Sequence, residues 1–426
     1  MNAPRTEAPR ATPHLRLLPG LVAGIAVTVL VNAGLHWIAG WAPAAPDEEA
    51  LSGPTLLLWL DRFLSDMTEA QFYGSALAGG GMLVGAALAH GLAVRKSRAR
   101  GFDISYGTGL WPWVLVSALT ALLLSHLLWS WTLEFSAWQP IFVPFVSVAP
   151  AIVLIYGRGW ATAVTAAVLA ALLTTPVALV LVDFVLVPAG LPVVIGNVAS
   201  MWAGALIAFA LCRALPWMRL PEATEAAELS EAAGGEDVSP ATTSASSPAV
   251  PASDDRVRSN LRAEVPAEEE AQSVRPLWLP RRALADFTEP QFYGNEWASL
   301  GMIAGVLLAW FLGGAGQGPL GLVPDILTAQ LLTALLAVWI CAGQWQSQGW
   351  YPTFVPIVSF VPAAVIEFGG GWAVIVSASV LGALTGPYIG RAIARRLPAD
   401  FHPFIGSVMS MTIITLAGVP LLRLVL

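Results

Sequence analysis

The sequence is short of charge and nearly without cysteine. Of its 426 residues only 12% are charged, against about 25% in soluble domains. That shortfall excludes an ordinary water-soluble fold. The two cysteines, Cys212 and Cys341, both lie in apolar runs, which excludes a disulfide framework and a cysteine metal site. No H-E-x-x-H, G-x-S-x-G or Walker motif and no Cys–His cluster occurs, so the expectation is no enzyme, no metal and no cofactor. The net charge is −7, with twelve acidic residues gathered in 218–273. Nucleic acid is therefore not an expected partner. Lysine and arginine are missing from the depths of the apolar runs, and a strongly anionic solute would have to rely on helix N-termini.

What the chain has instead is apolar length: 56% hydrophobic residues and a mean hydropathy of +0.68. About 20 apolar residues cross a bilayer. On that rule the sequence predicts an all-α polytopic membrane protein, with the lipid bilayer as its surroundings. Eleven spans are expected, near 18–41, 71–94, 109–128, 138–156, 160–183, 192–213, 290–312, 322–342, 352–368, 371–390 and 403–424. The first is read as a retained helix, since no convincing signal-peptidase site follows it. The segments 55–67 and 274–287 mix apolar and charged residues and are expected to lie along the membrane surface. Residues 218–273, rich in Ala, Glu, Ser and Pro, are expected to be a disordered linker. The chain thus divides into 1–53 (tail and first helix), 54–217, the linker 218–273, and 274–426.

With the N-terminus inside and all eleven segments crossing, 19 of the 21 Lys and Arg residues fall on the inner side, as the positive-inside rule requires. This predicts a multi-pass plasma-membrane protein with a cytoplasmic N-terminus and linker and an external C-terminus. Treating the two proline-rich segments as re-entrant would leave 10 basic residues inside and 11 outside, which disfavours that version.

The chain also repeats itself. "DMTEAQFYG" (66–74) returns as "DFTEPQFYG" (286–294), "WQPIFVPFVSVAPA" (138–151) as "WYPTFVPIVSFVPA" (350–363), and "PVVIGNVASM" (192–201) as "HPFIGSVMSM" (402–411). The order is kept at offsets of 220, 212 and 210, so the two units arose by duplication. Five spans per unit is an odd number. The second unit is then expected to enter the membrane upside down relative to the first, as inverted repeats do.

Three pairs of motifs are candidate sites. In the proline-rich pair, Pro144, Ser147, Pro150, Pro356, Ser359 and Pro362 should break their helices and could line a solute path near mid-membrane. The competing reading is a kink with each serine bonded back to its own helix. Asn197 and Ser407, early in the last span of each unit, belong to the same expected path. Glu69, Gln71 and Tyr73, with Glu289, Gln291 and Tyr293, are read either as helix-capping segments or as gating and coupling groups, one copy near each face. Glu296, whose counterpart in the other copy is Ala76, is a carboxylate inside an expected span and a coupling candidate. The G-M-x-x-G pairs at 81–85 and 301–305 are expected to pack helices closely. His90 and His126 are read as bonded within the bundle or as a proton relay.

Together these readings favour a transporter or channel for an unknown small neutral or cationic solute, with a homo-oligomer compatible with the sequence. The rival is a membrane scaffold or accessory subunit without transport.

Overall fold

The computed structural model describes residues 13–43, 55–134, 140–221, 277–315 and 321–426. The linker expected at 218–273 lies, from residue 222 onward, outside them. Among the described residues every regular element is helical: α1 (Pro13–Ala39), α2 (Thr55–Asp66), α3 (Ala76–Val94), α4 (Trp111–Trp129), α5 (Val148–Tyr156), α6 (Trp160–Leu173), α7 (Thr175–Leu181), α8 (Val194–Ala214), α9 (Trp278–Ala285), α10 (Glu296–Leu312), α11 (Val323–Ile340), α12 (Ala342–Gln348), α13 (Phe360–Phe368), α14 (Trp372–Ala394) and α15 (Phe404–Val425).

Eight helical stretches among these residues are long and apolar enough to cross a membrane. The chain is therefore an all-helical polytopic membrane protein. Three of the eleven expected spans fall short of that length, each for a local reason. The seventh starts at Glu296 rather than near 290, because the preceding Phe292 and Gly294 have positive φ. The fourth is a 3-10 stretch, Pro140–Val146, followed by the nine-residue α5. The ninth is a 3-10 turn, Val355–Val358, followed by the nine-residue α13. Both breaks fall at the serine of the motif: Ser147 and Ser359 leave helical geometry with φ/ψ of −138/−104 and −148/−92. The prolines remove backbone donors ahead of each break. The two units therefore carry the same interruption at matched positions.

α9 departs from its expected place. Trp278, Leu279, Arg282, Ala283 and Ala285 are buried, so it is packed inside the protein instead of lying on a surface. α2 does keep exposed leucines at 56, 57, 58 and 60. α1 is held to the second unit by polar contacts. Asn32 Nδ2 donates to Asp325 Oδ1 (3.1 Å) and Thr328 Oγ1 (2.9 Å), and His36 Nε2 lies 3.0 Å from Asp325 Oδ1.

The two units meet through equivalent elements. α3 and α10 approach backbone to backbone, as small residues four apart allow. A Cβ on Gly81 would strike the Gly301 carbonyl, and one on Gly301 the Gly81 carbonyl. Gly85 sits against Trp297 and Ala298, and Gly305 against Leu77 and Ala78. As α3 advances from 77 to 85, α10 recedes from 305 to 297, so the pair runs antiparallel with reciprocal contacts. α8 and α15 behave alike. Trp202 Nε1 donates to its own counterpart, Thr412 Oγ1 (3.2 Å), while Phe209 packs on Phe401 and Arg213 is paired with Asp400. These last contacts set the end of α8 beside the start of α15. Arg213 also holds the Asp400 carboxyl below its ordinary range through their hydrogen bonds.

Candidate functional site

The site grows from the twice-written turn. In each copy the backbone N–H of the tyrosine returns to the threonine carbonyl (Tyr73 to Thr68, 3.3 Å; Tyr293 to Thr288, 3.0 Å). The phenylalanine N–H returns to the glutamate carbonyl (Phe72 to Glu69 and Phe292 to Glu289, both 2.8 Å). These bonds close the chain so tightly that Phe72 and Phe292 take φ of +65° and +62°. The left-handed region is uncommon for a bulky residue, and such conformations persist where surrounding structure enforces them. Gly74 and Gly294 follow at +45° and +55°, positions where glycine carries no Cβ penalty. The helix caps are Ser75 and Asn295, which accept from Ala78 N and Trp297 N.

The two turns come together rather than standing at separate faces. Gln71 Nε2 donates to Gln291 Oε1 (2.9 Å), and Gln291 Nε2 donates to Gln71 Oε1 (3.0 Å). Each amide also reaches an equivalent carbonyl of the other unit, Phe287 O (2.8 Å) and Met67 O (3.0 Å). Both side chains are buried. Losing one partner of a buried pair strands the other, so Gln71→Leu should cost about 1–3 kcal/mol. Gln71→Leu with Gln291→Leu should cost less than the two single changes added together. Thermal melts in detergent measure this cycle; costs that add to within about 0.5 kcal/mol would indicate no pairing.

Beside the paired amides lies a cavity of about 300 Å³. Its walls are largely matched pairs: Glu69 with Glu289, Phe72 with Phe292, Phe142 with Phe354, Val146 with Val358, Val198 with Val408, and Met201 with Met411. Each pair obeys the offset of its own motif, 220, 212 or 210. The cavity therefore straddles the seam between the units. Asn197, Tyr106, Trp350, His402 and Phe404 complete much of the lining.

Its polar groups are unevenly satisfied. Glu289 accepts from Arg282 Nη2 (2.5 Å) and from the Tyr106 hydroxyl (3.0 Å). Arg282 also grips Asp286 through Nη2 (2.7 Å) and Nε (3.1 Å), and Thr353 donates to the other Asp286 oxygen (2.6 Å). One buried guanidinium thus serves two buried carboxylates. His402 Nδ1 accepts from Phe404 N–H (3.1 Å), which puts the proton of the neutral ring on Nε2. Asn197 Oδ1 and Trp350 Nε1 are buried without a hydrogen-bond partner.

The remaining sequence candidates are placed as follows. Ser147 and Ser359 donate back to Val143 O (2.6 Å) and Val355 O (2.7 Å), and the cavity wall near them is built by Phe142, Val146, Phe354 and Val358. Pro144, Pro150, Pro356 and Pro362 are buried in the interrupted segments and do not line the cavity. Asn197 does; Ser407 is buried and does not line it. Tyr73 donates to Gln330 Oε1 (2.7 Å), whereas the Tyr293 hydroxyl has no partner. The shorter Ser117 stands where aligning LTALL at 119–123 with LTALL at 332–336 would put a glutamine. Glu296 lies away from the cavity and fastens the loop after α3: Oε2 accepts from Phe102 N (2.6 Å), and Oε1 accepts from Arg281 Nε (2.9 Å). In that loop, burial pushes the Asp103 carboxyl up against the opposing pull of Arg100. His126 is bonded to Asp66 (2.8 Å), and His90 packs on Trp111.

Sequence reasoning passed over Arg282, Tyr106 and His402. Arg282 was findable: Arg62–Asp66–Glu69 and Arg282–Asp286–Glu289 share one spacing at an offset of 220. Tyr106 stands on a loop outside the three repeated motifs, and His402 replaces Pro192 of the first unit, so neither recurs. No protein family, curated protein or solved structure matches the chain. The fold and the cavity together define a class only: an all-helical membrane protein with a chamber between two similar units.

Proposed function

We propose that the chain is a transporter or channel for a small neutral or cationic solute, moved through the chamber between two inverted repeats. The observation that carries this reading is the pairing of the cavity walls across the seam. Two antiparallel helices related by a two-fold have the axis perpendicular to them. If α3, α10, α8 and α15 stand across the bilayer, that axis lies in the membrane plane, the arrangement in which inverted-repeat transporters bind solute near the midplane. Gln71, Gln291, Gly81 and Gly301 then sit at mid-depth, and the cavity opens beside them. On this reading all eleven segments cross, three with interrupted helices. The protein sits in the plasma membrane with the N-terminus and linker cytoplasmic and the C-terminus outside. The path is lined by Phe142, Val146, Phe354, Val358 and Asn197, while Ser147, Ser359 and the prolines shape it from behind. Glu69 and Glu289 are the coupling candidates; Gln71 and Gln291 hold the units in register.

Cysteine labelling tests both parts. Cysteine at Val198 or Val408 should react in membranes with a small water-soluble methanethiosulfonate ammonium reagent. Cysteine at Arg98 and at Gly313, beyond the ends of α3 and α10, should react with an impermeant maleimide from opposite sides. No reaction at 198 and 408 would favour the dry interface of a scaffold, and same-side labelling of 98 and 313 would remove the inverted arrangement.

A further inference from the structure

We infer that the chamber is built for an apolar organic cation: a protonated amine with an aromatic or branched hydrocarbon body. This rests on the reading of the cavity as a solute site and names the class of solute.

Charge is the first ground. The acidic side chains on the wall are Glu69 and Glu289, and no lysine or arginine lines it among the described residues. Arg282, the nearest buried cation, bonds Asp286 as well as Glu289, so this group of three keeps one negative charge in excess. A cation entering beside Glu289 meets that excess in a medium where water screens poorly.

The wall itself is the second ground. Phe72, Phe292, Phe142, Phe354, Trp350 and Phe404 surround the space, and ring faces attract cations, most of all organic ammonium groups. A hard metal ion is a poor match, since it takes six or more oxygen ligands, and the described residues form no such cluster. At about 300 Å³ the chamber is at the small end of ligand sites, roughly 300–1,000 Å³, which limits the guest to one ring or a short branched chain.

The third ground is the orphaned polar atoms. Asn197, 2% exposed, lines the chamber and carries an unpartnered Oδ1. Buried polar atoms without partners are rare and call for a ligand or water. An ammonium N–H supplies the donor that Asn197 lacks. The unpartnered Trp350 Nε1–H leaves room for one acceptor on the guest.

The test compares two near-isosteres, 2-phenylethylammonium and 2-phenylethanol, titrated into the purified full chain at pH 7 and read by tryptophan fluorescence and calorimetry. The ammonium should bind at least tenfold more tightly than the alcohol. Glu69→Gln should shrink that ratio at least fivefold, and Asn197→Leu should weaken the ammonium more than the alcohol. Glu69 and Asn197 are chosen because they lie outside the Arg282 group, and a melt confirms that each variant is folded. Equal or tighter binding of the alcohol overturns the cation assignment and leaves the solute chamber standing. An unchanged ratio in both variants overturns it as well. Binding of neither compound overturns it too, and if cysteines at 198 and 408 are also unreactive, the chamber reading falls with it.

Discussion

Gly301→Ala should destabilise the protein by at least about 3 kcal/mol, the upper end of the usual cost of overpacking, and Gly301→Leu should yield no monodisperse protein in detergent. Most added methyl groups find a side chain that can turn aside. Here the new Cβ would fall on the Gly81 carbonyl oxygen, which belongs to the middle of a helix and cannot move alone. The relation is reciprocal, so Gly81→Ala should behave the same way, and α3 would have to part from α10 along the whole contact from 77 to 85. Gly80 supplies the internal control. It is one residue away on the same helix, and a Cβ there would meet nothing within 4 Å. Gly80→Ala should therefore be neutral or stabilising by up to about 1 kcal/mol through helix propensity. Thermal unfolding followed by size-exclusion chromatography separates the two. If Gly301→Ala and Gly80→Ala melt alike, the close antiparallel contact is wrong, and the proposed inverted arrangement loses its support.

That contact was partly legible in the sequence. G-M-x-x-G at 81–85 and 301–305 announced close packing, but the letters alone do not say that the two motifs pack on each other. The turn motif was legible in the same incomplete way. Its recurrence marked 66–74 and 286–294 as important, yet the sequence suggested one copy for each membrane face. The structure joins them instead, because the glutamine amide at 71 and 291 both donates and accepts, and so can bond its own copy across the seam. Phe72 and Phe292 recur for a different reason: the left-handed turn sends both rings to the cavity. The proline segments were readable as breaks. What could not be read was that Ser147 and Ser359 would spend their hydroxyls on the carbonyl four residues back, a choice of rotamer that composition does not fix. Helix length was least legible where polar turns and prolines sit inside apolar runs, since hydropathy averages over them. The asymmetric features were least visible of all. Tyr106 and His402 have no equivalent in the other unit, and only the folded chain brings them to Glu289 and Phe292.

Arg282→Met should cost about 3–5 kcal/mol, the penalty for removing one partner of a buried ion group and leaving the other charges unanswered. Arg282 is 5% exposed, and its two carboxylates, Asp286 and Glu289, are 0% and 3% exposed. Without the guanidinium, both would be held as neighbours of like charge away from water, with the Thr353 and Tyr106 hydroxyls as their remaining donors. The counterpart, Arg62, is exposed, and Asp66 takes its hydrogen bond from His126. Arg62→Met should then cost no more than the roughly 0–1 kcal/mol of a surface charge, although the two arginines occupy the same place in the repeat. The combined variant Arg282→Met, Asp286→Asn, Glu289→Gln should recover much of the loss, because replacing a whole buried ion group by neutral residues is often close to neutral. Melting temperatures in detergent for the parent chain and these variants decide the matter. A loss at Arg62 equal to that at Arg282 would mean that the second unit's ion group has no special burial. A triple variant no better than Arg282→Met alone would show that the arginine acts through packing on Trp345 and Phe102, whose rings lie 4.7 and 5.2 Å from its guanidinium, and not through the carboxylates.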